Sequence, residues 1–305
     1  MRTKGMIGVL GCLIVGAAYI GRFFFPMPLK EVESHFYHQM RSFYNSILYR
    51  YANDPSFDNK DIQSSVPLDV VIPVVEKDLE SVEQVVNSVR AFVRHPLGAI
   101  YFVSPESQRI RELAKRMNVI FVHEDTAMPS FRNGFNKRGW IKQQYLKLNA
   151  DSFTTQAHYL VVDADTIFIR PHVFVLKGKT YFPILRGYTD TRKRFTQEAV
   201  GVQKFYNLDF TAHHMLFERE KLKEMKRRIE EKHKKSWADA LNELPTPEAW
   251  FSEYELYANF FFDVFPEEGC IVHGRNVAIE RQRLPYLSLI GPVMASYAKT
   301  LSMHV

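Results

Sequence analysis

Two acidic residues, Asp163 and Asp165, stand where the apolar run Tyr159 to Val162 ends, and Ile167 to Ile169 resumes that run before Arg170 and Pro171. Carboxylates spaced i and i+2 at the exit of a buried strand offer the oxygen ligands that a hard divalent cation takes. A cation held there neutralises charge on a departing diphosphate, the leaving group of a nucleotide sugar. Aspartates in a turn after a strand are also common without any ligand, so the rest of the chain has to decide.

Further along, Phe210 to Glu218 carries His213 and His214. Thr211 to Phe217 reads as a strand, in which neighbouring side chains point to opposite faces, so only one histidine should face a cleft. Glu253 and Glu255 follow Pro245, Pro247 and Trp250 at what reads as a helix start, with Leu256, Phe260 and Phe261 as its buried face. An acid there is a candidate site residue or a helix cap, since the positive end of a helix favours an anion. Glu253 is preferred over Glu255. Between Phe131 and Leu148, Arg132, Lys137, Arg138, Lys142 and Lys147 interleave with Trp140, Gln143 and Gln144. Bases around an aromatic fit a diphosphate and nucleobase pocket, although the same stretch also makes a plain amphipathic helix. Lys142 and Gln144 are the candidates chosen from it.

These residues need a scaffold. Leu68 to Val74 is a β-branched run with the character of a fully buried strand. Leu79, Val82, Val86, Val89 and Val93 recur at spacings of three and four, predicting an amphipathic helix on a sheet. Ala99 to Val103 predicts a second strand, Ile110, Leu113 and Met117 a second helix, and Val119 to Val122 a third strand. That alternation implies a parallel, right-handed, Rossmann-like half that binds ligands beyond the carboxyl ends of its strands. No GxGxxG follows the first strand, which argues against a dinucleotide cofactor.

The pattern Tyr159-Leu160-Val161-Val162-Asp163-Ala164-Asp165, ending at Pro171, resembles the metal-binding motif of GT-A-fold glycosyltransferases. Phe210 to Glu218, with its His-His-Met-Leu-Phe core, and Phe251 to Asn259, with Phe-Ser-Glu-Tyr-Glu, resemble blocks of an uncharacterised glycosyltransferase-like domain family. The resemblance, covering residues 66 to about 280, implies an α/β GT-A fold: Rossmann-like, a mostly parallel mixed sheet flanked by helices. It implies that the loop from Pro73 to Asp78, with Pro73 and Glu76, approaches the nucleoside. Asp163 and Asp165 would hold nucleotide and Mn²⁺ or Mg²⁺, and His213 or His214 would meet the sugar or acceptor. Glu253 would serve as base in an inverting transfer, or position sugar or acceptor in a retaining one. His273 resembles the late histidine that supplies a third metal ligand in several GT-A families. No Lys-Pro-Trp follows it, and Arg275 stands there instead, able to steady a phosphate.

Across the whole chain of 305 residues, 46% hydrophobic side chains suffice for one large domain. The net charge of +6 is dispersed, and the basic run Lys221 to Lys235 is broken by Glu224, Glu230 and Glu231, predicting a solvated helix face and no nucleic-acid partner. Cys12 and Cys270 exclude a disulfide framework. Met6 to Ile20 is apolar after Arg2 and Lys4, and Phe23 to Phe25 prolong it to about the length that spans a bilayer. A cleaved signal is the competing reading, weakened by a poor cleavage site at Tyr19 to Arg22. The expected organisation is a cytoplasmic stub and transmembrane anchor over 1–25, a stem over 26–65, the GT-A domain over 66–285 and a tail over 286–305. Basic residues before the span place the catalytic body on the far side, as in a single-pass type II protein of a Golgi-like membrane, with a bacterial inner membrane as the alternative. Three rivals share some features. Haloacid-dehalogenase-like phosphatases need Thr or Val where Ile167 stands, and sugar nucleotidyltransferases need a Gly-rich loop where Pro73 to Glu76 stands. An inactive, membrane-tethered glycan-binding module is the third. The partners expected are a nucleotide-sugar donor and a glycan, lipid or protein acceptor.

Overall fold

The β-branched run at Leu68 becomes β1 (Leu68–Pro73), and all six of its residues are buried. Then follow α1 (Val82–Phe92), β2 (Leu97–Ser104), α2 (Gln108–Arg116), β3 (Ile120–His123), α3 (Gly139–Leu148) and β4 (His158–Val162). The second half runs β5 (Thr166–Phe168), β6 (Val175–Leu176), β7 (Lys179–Ile184), α4 (Asp190–Val200), β8 (His214–Glu218), α5 (Arg219–His233), α6 (Trp237–Glu243) and α7 (Glu253–Val264). It closes with β9 (Gly269–His273), β10 (Asn276–Glu280), α8 (Leu287–Met294) and β11 (Thr300–His304). The computed structural model describes residues 54–59, 61–130, 139–185, 190–202, 209–244 and 251–304, all in the second of two units, Ala52–Val305. The expected anchor and most of the stem lie outside the described residues, among which no helix is long and apolar enough to cross a membrane.

The central sheet has the order β3-β2-β1-β4-β8. β1 pairs in parallel with β2 and β4, β2 in parallel with β3, and β8 antiparallel with β4. This is a mixed α/β, Rossmann-like sheet, as the alternation of strand and helix patterns predicts. Val82, Val85, Val86 and Val89 of α1 pack on one face with Val70, Ile72, Leu160 and Val162. Because side chains alternate along a strand, Tyr159 and Phe217 point to the other face. They stack there at 5.3 Å, and Phe217 meets Tyr257 of α7 at 4.6 Å.

Two smaller sheets flank the central one, β10-β11-β5 and β6-β7-β9. The segment expected as a tail therefore ends in a strand, β11, which runs antiparallel to β5 and parallel to β10.

The turn after β4 is fixed on every side. Asp163 N donates to His213 O at 2.9 Å and Thr166 N to Asp163 O at 3.0 Å. Ser81 Oγ, at the start of α1, donates to Ala164 O at 3.0 Å, and Met303 N of β11 donates to Asp165 O at 3.0 Å. The strand expected from Thr211 starts instead at His214, because His213 takes a left-handed backbone (φ 63°) that interrupts the extended run. Such a conformation is uncommon outside glycine and is concentrated at functional sites.

Candidate active site

A cleft of about 540 Å³ opens beyond the carboxyl ends of β1 and β4, where a sheet of this kind takes ligands. Asp163, Asp165, His213, Gln144, Lys147 and Glu253 all line it. The first three come from the turn after β4 and the residue before β8, the next two from α3, and Glu253 from the first turn of α7.

The buried ammonium of Lys147 is the electrostatic centre. Its Nζ lies 2.6 Å from Asp163 Oδ1 and 2.7 Å from Glu253 Oε1, and 4.7 Å from the centre of the Tyr254 ring. Burial alone pulls the lysine pKa down, but the facing Asp163 and Glu253 outweigh it and hold it well above the ordinary range. Burial likewise pushes the Asp163 carboxyl up, and Lys147 and His213 reverse that, leaving it well below the usual carboxylate range. Tyr254 OH donates to Asp163 Oδ1 at 3.2 Å, and burial, reinforced by the Asp163 charge, raises its own pKa well above normal.

Asp163, Asp165 and His213 each offer one ligand atom such that all lie within 4.8 Å of one another. His213 Nδ1 is 3.3 Å from Asp163 Oδ2. Burial lowers the His213 pKa, but its bond to Asp163 and the charges of Asp163 and Asp165 raise it overall. Two carboxylates and an imidazole form a mixed oxygen and nitrogen set that suits Mn²⁺, and the carboxylates suit Mg²⁺. The residues present fit such an ion.

α7 presents its N-terminus to the cleft, with Ser252, Glu253 and Tyr254 in the lining. Ser252 caps it, accepting from Glu255 N, and Gln144 Oε1 accepts from Glu253 N at 3.2 Å. Gln144 is buried and its Nε2 has no hydrogen-bond partner, leaving a donor in the cleft wall.

The other candidates lie elsewhere. Glu255 is buried behind the cleft, accepting from Phe210 N at 3.0 Å and Asn259 Nδ2 at 2.9 Å. His214 points to the opposite face from His213, against Phe168, His172 and Phe174. His273, at the end of β9, borders a small cavity with His172, His214 and Lys299 that shares no described lining residue with the cleft. Arg275, in a left-handed conformation (φ 46°), follows it and is outside the cleft lining. Pro73 lines the cleft, whereas Glu76 turns toward α2, accepting from Ser107 Oγ at 2.6 Å and pairing with Arg109 at 3.2 Å. Those contacts, the Ser107 bond foremost, hold its carboxyl below the usual range. Lys142 lines an adjoining cavity.

Residues 65–273 match the model of DUF6492, a family of unknown function. The chain belongs to that family. No curated protein matches it. Among solved structures, the chain is similar to the galactosyltransferase LgtC in complex with donor and acceptor sugar analogs, at 10% identity and a TM-score of 0.44 over 78% of this chain and 87% of that one. It is similar to mouse xyloside xylosyltransferase 1 in its apo form, at 15% identity and 0.42 over 78% and 97%. It is also similar to glucosyl-3-phosphoglycerate synthase from Mycobacterium tuberculosis with Mn²⁺, UDP and glucosyl-3-phosphoglycerate, at 15% identity and 0.37 over 69% and 70%.

Sequence reasoning passed over Lys147, Tyr254 and Lys77 in this cleft. A signal existed for Lys147: it lies three residues after Gln144, hence on the same side of α3.

Proposed function

We propose that the chain is a metal-dependent glycosyltransferase moving a sugar from a nucleotide-diphosphate donor to an acceptor hydroxyl. The observation that carries this reading is the convergence of Asp163, Asp165 and His213 with Glu253 in one cleft beyond the sheet. Asp163, Asp165 and His213 would hold Mn²⁺ or Mg²⁺. Bound there, the cation supplies charge neutralisation for the diphosphate as it leaves. The α7 N-terminus adds the positive end of a helix beside the same space, and the free Gln144 Nε2 adds a donor. Glu253, held by Lys147, accepts the acceptor's proton in an inverting transfer and positions sugar or acceptor in a retaining one. The apolar run over Met6 to Phe25 supports an N-terminal membrane anchor, and a lumenal, Golgi-like placement puts nucleotide sugar on the catalytic side.

The test uses the purified full-length chain in detergent, presented with a panel of nucleotide sugars and Mn²⁺, with released nucleotide as the readout. Wild type should release nucleotide from one donor, and Asp165→Asn should lose roughly a hundredfold or more of that rate. Equal release from both would sink the proposal.

A further inference from the structure

A second cavity, of about 410 Å³, adjoins the metal cleft: Pro73, Lys77, Trp140 and Gln143 line both. Its walls come from the ends of β1 and β2, including Val75, Val103 and Pro105, and from Leu146 of α3. Apolar walls accept an aromatic ring and leave its edge to be read by the polar groups in the lining. Among the described lining residues the carboxylate is Glu124, which opens the helical turn after β3, and beside it stands Lys142 of α3. Lys142 Nζ is 4.0 Å from Glu124 Oε1, with side chains 31% and 17% exposed. The lining thus pairs a two-oxygen acceptor with an ammonium that carries three N–H donors.

The four nucleobases present different edges to such a pair. Guanine offers two adjacent donors, N1–H and the N2 amino group, followed by the acceptor O6. A carboxylate takes both donors in parallel while an ammonium donates to O6, so every group is matched and the bonds are charge-assisted. Uracil offers one N–H flanked by two carbonyl oxygens, which sets the second carboxylate oxygen against a carbonyl. Cytosine and adenine each offer one amino group beside a ring acceptor, leaving a carboxylate oxygen unmatched. A site built for hydrogen bonds rejects ligands that leave its polar groups unpaired.

We infer that this cavity is the base pocket of the donor nucleotide and selects guanine through Glu124 and Lys142. The inference rests on the nucleotide-sugar reading of the adjoining cleft. It is tested by equilibrium binding of GDP, UDP, CDP and ADP to the full-length chain with Mn²⁺, for wild type and Glu124→Gln. GDP should bind about tenfold or more tightly than the other three, the gain expected of one extra charge-assisted pair. Glu124→Gln puts a donor in place of one acceptor, so GDP affinity should fall about tenfold while UDP affinity rises, its carbonyl now meeting a donor, and the unfolding midpoint stays unchanged. Binding of UDP, CDP or ADP as tight as GDP overturns the base assignment and leaves the glycosyltransferase reading standing. A GDP preference that survives Glu124→Gln overturns the role of Glu124. Failure of every nucleotide to bind overturns the underlying reading, and the inference with it.

Discussion

Lys147 joins two carboxylates that lie far apart in the chain, and removing its charge leaves the buried Glu253 and the half-buried Asp163 without it. Breaking a buried pair by deleting one partner costs on the order of 3–5 kcal/mol, because the other charge loses its compensation. Lys147→Met, which keeps the length and apolar bulk of the side chain, should lower the free energy of denaturant unfolding by about that amount. The loss should shrink when Mn²⁺ is added, since a divalent cation beside Asp163 then replaces the missing positive charge. A variant as stable as wild type without metal would show that the carboxylates have other compensation. The aspartate pair was legible in the sequence because its chemistry depends on spacing within one turn. The role of Lys147 was not, since its partners reach it only through the pairing of α3, β4 and α7. Between His213 and His214, strand alternation indicated that one faces the cleft, but not the left-handed backbone that turns His213 toward Asp163.

The strands and helices from Leu68 to Val122 could be read from local patterns, because fully buried parallel strands are continuous apolar runs and the helices between them repeat every three to four residues. β11 offered no such signal. It is five residues long, and its antiparallel partner β5 lies far back in the sequence. Yet it supports the metal turn directly through Met303 N to Asp165 O, while Ile169 N donates to Lys299 O just before it. Lys299 in turn pairs with Asp54 and donates to Ser56 Oγ at 2.6 Å, tying the start of the described domain to the same corner. Stopping the chain after Lys299 should therefore abolish Mn²⁺ binding and speed amide exchange at Thr166 to Phe168, the strand left without its neighbour. Hydrogen exchange with and without Mn²⁺ measures both effects, and unchanged protection in β5 would mean that β11 is dispensable to the turn.

At the scale of the whole molecule, the location of the cleft followed from the order of elements, whereas the acid sensitivity of the fold followed from no motif. Three histidines, His95, His172 and His214, are each more than nine-tenths buried. Burial pushes His95 down to about 4, and burial with Lys299 and His213 pushes His214 down to about 3. His172 is also held well below its ordinary value by burial and Lys299. His95 shows why a second proton is refused: Nε2 accepts from Phe174 N at 2.8 Å, so Nδ1 carries the hydrogen and donates to Val66 O at 2.9 Å. These groups have folded pKa values below their unfolded ones. As pH falls below about 6.5, the unfolded chain therefore binds protons that the folded chain does not, and stability falls. Each histidine contributes a slope of about 1.4 kcal/mol per pH unit, so the three together approach 4 kcal/mol per unit between roughly pH 6 and pH 5. His213, whose pKa is raised, acts in the opposite sense and softens the slope nearest pH 6.5. Denaturant unfolding from pH 7.5 to 5 should show this decline. His214→Phe separates the contributions, because Phe168 and Phe174 already surround that ring with apolar neighbours. The variant should fold and should flatten the pH slope by about 1.4 kcal/mol per pH unit, the share of one proton. An unchanged slope would show that His214 takes no part in the proton linkage.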